Sequence, residues 1–252
     1  YLMPSTNPFY SSISKLYDYV FPFNPKQLAF IKEISKSRRI QSILDIGCGT
    51  GNMALEMAEE GYAVSALDAD PEMIALANEK KQNRGFTDFP EFRVLDMMKL
   101  NKAFAPESFD LISCFGNTLP HLLTYERVDA FLKTVAEVIK KEGHFAIQLL
   151  NYDYILESSI QELPLKDNDY IRFERYYEFF EDSEQISFIT RLTDKKTKQV
   201  IENQIPLLAI RKNLLKTSLE NAGFKEISFY GGFDKSPLYP QNIPLVVDCI
   251  KK

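Results

Sequence analysis

A glycine-rich string at residues 44–52, which reads LDIGCGTGN, most constrains how this chain can fold. It follows a short apolar run with the composition of a buried parallel strand, and it precedes a segment of helical period. Glycine occupies alternate positions of the string, at Gly47, Gly49 and Gly51. Such glycines let the backbone turn tightly and let a ligand approach it closely. The string therefore predicts a strand, a ligand-binding turn and a helix, in that order.

Strands and helices alternate along most of the sequence. Five strands are predicted before residue 151, at 42–48, 63–69, 92–97, 109–115 and 145–150. The clearest helix has one apolar stripe formed by Val128, Phe131, Leu132, Val135, Ala136 and Ile139. After residue 210 a helix that ends at Gly223 is followed by strands at 225–230 and 244–250. This order predicts an α/β fold: a Rossmann-like, doubly wound, seven-stranded and mostly parallel sheet.

The pattern changes between residues 152 and 210. Segments 170–180, 186–193 and 198–210 have strand composition without a helical period, and polar turns separate them. They indicate antiparallel hairpins inserted into the α/β chain. Residues 1–40 comprise an aromatic-rich arm and a helix that opens at Asn24-Pro25. We therefore expect residues 1–252 to form a single domain with an inserted antiparallel lid at 152–210.

Composition narrows the classes of partner. The 30 Lys and Arg residues stand against 35 Asp and Glu residues, and this acidic balance argues against a nucleic-acid partner. No apolar run approaches the roughly 18 residues that span a bilayer, and no secretion signal is evident. The cysteines Cys48, Cys114 and Cys249 match neither a disulfide framework nor a paired-ligand zinc site. We expect a cytoplasmic protein with no metal site and no membrane partner, and the oligomeric state stays open.

An acidic residue, Asp68, ends the second predicted strand about 20 residues after Gly47, the spacing seen in nucleoside-binding folds. A carboxylate at this position can accept hydrogen bonds from both ribose hydroxyls of a nucleoside cofactor. The dinucleotide fingerprint has its third glycine one position later, where this chain has Asn52. Spacing alone leaves a nicotinamide-dependent oxidoreductase open as an alternative.

Four motifs in order resemble those of the class I S-adenosylmethionine-dependent methyltransferases. They are DIGCGTG at 45–51, LDADPEM at 67–73, LDM at 95–97 and FDLI at 109–112. The resemblance covers about residues 42–154 and is looser elsewhere. It implies an S-adenosyl-L-methionine cofactor and a methyltransferase activity, and it disfavours the oxidoreductase.

The resemblance implies a role for each motif residue. The loop Gly47, Cys48 and Gly49 would lie against the methionine part of the cofactor, with Asp45 near its amino group. Asp68 would bind the ribose. The residues implied to contact the adenine are Ala69, Met73, Asp96 and Met97. A core position is the alternative for Met73, and a turn position is the alternative for Asp96.

A narrower resemblance, to glycine N-methyltransferase and its small-molecule relatives, lies in CFGNTLPHL at 114–122 and NYDYIL at 151–156. Tyr17 resembles a tyrosine that faces the reactive methyl group in those enzymes. This resemblance implies that Cys114, Phe115 and Tyr17 contact the cofactor. It also implies that polar residues near the acceptor have catalytic roles, namely Tyr17, Asn117, His121 and Tyr152. The family's substrate-binding arginine cannot be aligned in the inserted region.

Two side chains are candidates for acceptor chemistry by their type. Methyl transfer is an in-line displacement, so the protein mainly orients the acceptor and excludes water. A base is needed only for an acceptor that arrives protonated, and His121 is the candidate, with a structural hydrogen bond as the alternative. Arg175 is the one charge on a predicted aromatic strand face. It is a candidate clamp for a carboxylate, and an edge-protecting or snorkelling charge is the alternative.

We therefore expect a methyltransferase that acts on a small molecule, with an amine as the acceptor. The acceptor should lie at the carboxyl ends of the fourth and fifth strands, beneath the lid and the aromatic arm, because ligands of open α/β sheets gather there. A non-catalytic S-adenosylmethionine-binding protein is the alternative from another class, since cofactor motifs alone do not establish turnover.

Overall fold

The computed structural model describes residues 8–252, whose strands form two sheets. The strands are β1 (Ser42–Ile46), β2 (Ala63–Asp68), β3 (Glu91–Val94), β4 (Phe109–Cys114), β5 (Ile139–Leu150), β6 (Lys166–Asp167), β7 (Ile171–Phe179), β8 (Gln185–Asp194), β9 (Val200–Leu208), β10 (Phe224–Tyr230) and β11 (Pro244–Lys251). The α-helices are α1 (Pro8–Ile13), α2 (Tyr17–Val20), α3 (Pro25–Ser37), α4 (Asn52–Glu59), α5 (Pro71–Asn83), α6 (Leu100–Ala103), α7 (Tyr125–Val138), α8 (Tyr152–Glu157) and α9 (Lys212–Asn221). None of the helices within residues 8–252 is both long enough and apolar enough to cross a membrane.

The larger sheet contains seven strands in the order β10-β11-β5-β4-β1-β2-β3. Strands β1 to β5 pair in parallel, and β11 pairs antiparallel with both β5 and β10. The prediction of a Rossmann-like, mostly parallel, seven-stranded sheet is confirmed. The chain passes to opposite sides of β1 when it forms β2 and β4. This switch point leaves a crevice outside the carboxyl ends of β1 and β4, where α/β folds bind ligands.

The inserted region forms an antiparallel sheet in the order β6-β7-β8-β9, so the prediction of antiparallel hairpins is confirmed. The sequence pattern missed two elements of this region, α8 and β6. Helix α8 begins where the Asn151 side chain accepts a hydrogen bond from the Tyr154 amide. Strand β6 has only two residues, which is too short to show a periodicity. From here on, "lid" means residues 152–210.

The aromatic arm is helical, which the sequence pattern did not predict. Its buried side chains on α1 and α2 pack against the lid in one cluster, formed by Phe9, Ile13, Val20, Ile171, Phe173 and Leu192. Asp18 ties α2 to the glycine loop and to helices α4 and α5, because its carboxylate accepts from Thr50 Oγ1 and Asn52 Nδ2 and pairs with Lys80. The arm thereby bridges the lid and the glycine loop. Residues 1–7 of the predicted 1–40 segment lie outside the described residues.

Two predicted boundaries were wrong. Ile139, which the sequence places on the helical stripe, begins β5 and pairs with Phe109 of β4. The third strand ends at Val94, so Met97 begins a 3₁₀ turn instead of closing a strand. In both places the apolar residues suit either conformation, and strand pairing decides between them.

Candidate active site

The glycine loop is held at the end of β1 by backbone hydrogen bonds to β2. The amides of Gly47 and Cys48 both donate to the Leu67 carbonyl, at 2.8 and 3.0 Å. Gly47 has φ = +72°, and a Cβ atom there would lie 2.6 Å from Thr118 Oγ1. Any larger residue at position 47 would be strained and would also displace Thr118.

Asp68 ends β2 beside this loop. Its Oδ2 accepts from the Gly49 amide at 2.9 Å and its Oδ1 accepts from the Asp70 amide at 3.0 Å. Burial is the largest influence on the carboxyl, and it raises the pKa of Asp68. An ionised carboxylate has about four lone-pair sites, so these bonds leave capacity for ribose hydroxyls.

Asp45, on β1, is 4% exposed and accepts from Ser113 Oγ at 2.8 Å. Burial and the nearby charge of Asp68 raise the pKa of Asp45 to about 6. Within residues 8–252, no basic side chain lies within ion-pair distance of this carboxylate. A buried carboxylate with only a neutral partner favours a cationic ligand group. The amino and sulfonium groups of S-adenosylmethionine are cations, so the residues present fit this cofactor.

A cavity of about 520 Å³ opens at the carboxyl ends of the strands. It brings together five of the predicted site residues, namely Tyr17, Asp45, Gly47, Cys48 and Phe115. Gly49 does not line the cavity but lies against Tyr17, which does, since a Cβ at Gly49 would be 2.7 Å from the Tyr17 hydroxyl. Cys114 is fully buried in the core and does not line the cavity. Burial raises the pKa of the Cys114 thiol, as expected of an inert core cysteine.

The residues implied to contact adenine lie outside this cavity. Ala69 is exposed, Asp96 and Met97 are half-buried, and Met73 is 1% exposed in the core. Asp96 caps the turn that follows it, accepting from the Met98 amide at 3.0 Å. Their adenine contacts stay predictions.

The arm lies across the start of α5, next to these residues. Ser11 Oγ donates to Asp70 at 2.6 Å, and Ser14 Oγ donates to Glu72 at 2.5 Å. These bonds place the arm over the end of β2, where the ribose and adenine would bind.

Asn117 and Tyr152 connect the ends of β4 and β5. Asn117 Nδ2 donates to the Tyr152 hydroxyl at 2.8 Å, and Asn117 Oδ1 accepts from the Leu150 amide at 3.0 Å. Tyr152 is fully buried, and neither side chain lines the cavity. The geometry gives both residues a positioning role for the strand ends, and direct contact with an acceptor stays a prediction.

His121 lies against the arm. Its Nε2 is 3.0 Å from the Tyr10 hydroxyl, and burial lowers the pKa of the imidazole to about 4. His121 is therefore neutral at pH 7 and a weak base. Sequence reasoning missed Tyr10, although the aromatic composition of the arm was a signal that it covers the site. Tyr10 lines the cavity.

The lid carries two cations, and the predicted one, Arg175, does not itself line the cavity. Arg175 Nη2 donates to the Pro164 carbonyl at 2.6 Å, while its Nε is buried and has no hydrogen-bond partner among the described residues. Lys166, which sequence reasoning missed, lines the cavity itself. Its Nζ donates to the Val20 carbonyl at 2.8 Å and lies 4.6 Å from the centre of the Phe21 ring. Nothing in the local sequence marks Lys166, because the contact with the arm is made only in the folded chain.

A more open depression of about 600 Å³ lies at the opposite end of the large sheet, lined by Arg38, His144 and Asp248 among others. It contains none of the motif residues, so the smaller cavity is the candidate active site. His144 Nδ1 lies 3.0 Å from Asp248 Oδ1 there. That pair is consistent with a structural role for His144.

Comparison with known proteins agrees with this geometry. A family model described as "Methyltransferase domain" matches residues 43–143. The chain is 27% identical over 220 residues to glycine/sarcosine N-methyltransferase from Aphanothece halophytica, covering 85% of this chain and 77% of that enzyme. It is 29% identical over 141 residues to human glycine N-methyltransferase, covering 52% of this chain and 48% of that enzyme. The chain thus spans about half the length of the human relative.

The fold also matches solved structures. An S-adenosylmethionine-dependent methyltransferase from Clostridium acetobutylicum superposes with a TM-score of 0.81 at 18% identity, covering 96% of this chain and 99% of that one. The predicted family and its cofactor are confirmed by these matches together with the four motifs. Residues 43–143 of this chain therefore match a methyltransferase domain, and the chain has the fold of S-adenosylmethionine-dependent methyltransferases.

Proposed function

We propose that this protein transfers a methyl group from S-adenosylmethionine to the nitrogen of a small amine that also bears a carboxylate. The observation that carries the proposal is the single cavity that joins the glycine loop and Asp45 to the arm and the lid. Arg175 supports the carboxylate. Its Nε is buried without a partner on the lid, and an anion would satisfy it.

The names of the relatives support a nitrogen acceptor. The Aphanothece halophytica protein is named for glycine and sarcosine, which are both small amines with a carboxylate. The site is the main support for this acceptor, because the chain spans only about half the length of some relatives.

The protein's own residues have three tasks in this reaction. Asp45 binds the amino group of the cofactor and Asp68 binds its ribose. Bound S-adenosylmethionine supplies a methyl carbon that its sulfonium charge already activates. Arg175 holds the acceptor by its carboxylate, so that the nitrogen is in line with that carbon. The arm and the lid exclude water from the cavity.

We propose that residues 1–252 act as one methyltransferase domain, with the lid closing the acceptor side. In support, the main core is continuous from β4 and β5 into the lid through Tyr177, Ile186 and Leu207.

Turnover with matched pairs of amines tests this function. The pairs are glycine with methylamine and β-alanine with ethylamine, and only the first member of each pair bears a carboxylate. Mass spectrometry detects the N-methylated product. We expect product from the carboxylate-bearing member of a pair. Arg175→Gln should lose this preference. Arg191→Gln should keep it, because Arg191 is an exposed arginine of the same sheet.

Two outcomes would contradict the proposal. Equal turnover of both members of each pair would show that the enzyme does not recognise a carboxylate on the acceptor. S-adenosylhomocysteine binding without N-methylated product from any amine would favour the non-catalytic S-adenosylmethionine-binding alternative.

A further inference from the structure

We infer that Lys166 accepts the proton that an amine acceptor must lose before it can be methylated. The inference rests on the proposed function, because only an amine arrives as a protonated ammonium. An ammonium nitrogen has no free electron pair, and a primary aliphatic amine is protonated up to about pH 10. An enzyme that methylates such an amine near neutral pH therefore gains from a base inside the site.

The position of Lys166 suits this role. It lies on β6 and lines the cavity whose other walls include Asp45, Gly47 and Tyr17. The cofactor motifs lie on the glycine-loop side, so Lys166 faces the space left for the acceptor. Its Nζ donates one hydrogen bond, to the Val20 carbonyl. A neutral amine can make that bond and still direct its lone pair into the cavity.

The surroundings of Lys166 lower the pKa of its amine. Burial, followed by the positive charge of Arg175 on β7, lowers the pKa of Lys166 to about 8. From α2 and the residue after it, the chain presents the Val20 carbonyl and the Phe21 ring. Among the described residues, no carboxylate lies within ion-pair distance of Lys166, whereas Lys140 of the same chain pairs with Asp110.

The other charged or titratable groups facing the cavity do not replace it. Burial raises the pKa values of the Tyr10 and Tyr17 hydroxyls and of the Cys48 thiol, so these groups stay protonated and neutral. Asp45 lies on the cofactor side. His121 does not line the cavity, and its low pKa would not hold a proton taken from an ammonium.

The proton and electron pairs balance in two steps. In the first, an N–H bond of the acceptor ammonium breaks, its electron pair stays on that nitrogen, and Lys166 Nζ becomes an ammonium. In the second, the acceptor nitrogen forms a bond to the methyl carbon as the C–S bond breaks, with that electron pair going to sulfur. The product leaves as a methylated ammonium, and Lys166 loses its proton to water when the cavity opens.

The test compares the pH profile of kcat/KM for wild type, Lys166→Met and Lys166→Arg, with glycine as the acceptor. The arginine keeps a cation and the contact with Val20 but cannot act as a base. In wild type we expect kcat/KM to fall below about pH 8. In both variants it should fall below about pH 10, the pKa of the acceptor itself.

The size of the effect follows from the neutral fractions at pH 7. About one tenth of Lys166 and about one thousandth of the free amine are neutral at that pH, so the variants should lose about 100-fold. The loss should disappear above pH 10. Aminooxyacetate, a carboxylate-bearing amine that is unprotonated at pH 7, should be methylated almost equally by all three proteins. Lys195→Met is the control, because Lys195 pairs with Asp167 on the lid surface.

A measurement independent of turnover completes the test. The ¹³Cε resonance of Lys166, assigned by its absence in Lys166→Arg, should titrate near pH 8, and a titration near pH 10 would overturn the inference. A wild-type pH profile in Lys166→Arg would also overturn it, by reducing Lys166 to a charge or a tether for the arm. An absence of N-methylated product from wild type at every pH would instead refute the proposed function, and this inference with it.

Discussion

Replacing Asp45 by asparagine should change how stability depends on pH while it weakens cofactor binding. Burial raises the pKa of Asp45 from 3.8 to about 6, a difference of about 2 units or about 3 kcal/mol. Because the folded-state pKa is the higher one, ionisation of Asp45 costs the folded state stability as pH rises from about 4 to about 6. Asparagine cannot ionise and can still accept from the Ser113 hydroxyl.

The free energy of unfolding of Asp45→Asn, relative to wild type, should therefore rise by about 2.5 kcal/mol between pH 4 and pH 8, because wild type has already lost a small part of the stabilisation at pH 4. Comparing two pH values removes the constant cost of burying an amide. Binding of S-adenosylhomocysteine should weaken by about 1.5–3 kcal/mol, because the ligand's ammonium loses a charged partner. Urea denaturation without ligand gives the first quantity, and isothermal titration calorimetry gives the second.

Asp110→Asn is the control of opposite sign. Burial opposes the ionised form of Asp110, but hydrogen bonds from Lys140 and Ser42 lower its pKa to about 2. Asp110 thus stabilises the folded state above about pH 4, and this stabilisation is lost as pH falls through about 2. Asp110→Asn should lose stability at pH 8 and leave cofactor affinity unchanged. A pH-independent difference between Asp45→Asn and wild type, or unchanged affinity in that variant, would refute the account of Asp45.

Further predictions concern the ribose contact and the acceptor side. Asp68→Ala should weaken S-adenosylhomocysteine binding by about 1.5–3 kcal/mol in calorimetry, because the ribose loses a charged acceptor; a folded variant with unchanged affinity would show that Asp68 is not the ribose ligand. Tyr17→Phe and Asn117→Ala should each lower kcat more than they weaken cofactor binding. Asn117→Ala should also cost about 1–3 kcal/mol of stability, since the Tyr152 hydroxyl would be buried without its partner. Full turnover in both variants would show that the acceptor does not bind at the ends of β4 and β5.

The parts of the site that follow one another along the chain were predictable from the sequence. The glycine loop and Asp68 can be recognised in the sequence, because a tight turn and a strand-end carboxylate require particular residues at fixed spacing. The alternation of apolar strands with striped helices likewise predicted the seven-stranded sheet. Local chemistry decides these features, so a single sequence contains them.

The residues that close the site from other parts of the chain were not predictable. Tyr10 meets His121 only because the arm folds into helices over the sheet. Lys166 gains its lowered pKa from burial and from Arg175, which lies nine residues further along the chain on the next strand. The sequence predicted that Asn117 would contact the acceptor. In the structure its side-chain amide instead forms hydrogen bonds with the Tyr152 hydroxyl and the Leu150 backbone amide. Tertiary contacts assign these roles, and no local pattern encodes them.

The most direct test of the central claim is a comparison of ligands by calorimetry on the intact protein. S-adenosylmethionine and S-adenosylhomocysteine should both bind and raise the melting temperature, because a ligand that binds the native state stabilises it by mass action. NAD should do neither, since Asn52 stands where the dinucleotide fingerprint has its third glycine. Asp45→Asn and Asp68→Ala should each reduce the stabilisation by S-adenosylhomocysteine. Equal or larger stabilisation by NAD would contradict the assignment of the cofactor and everything built on it.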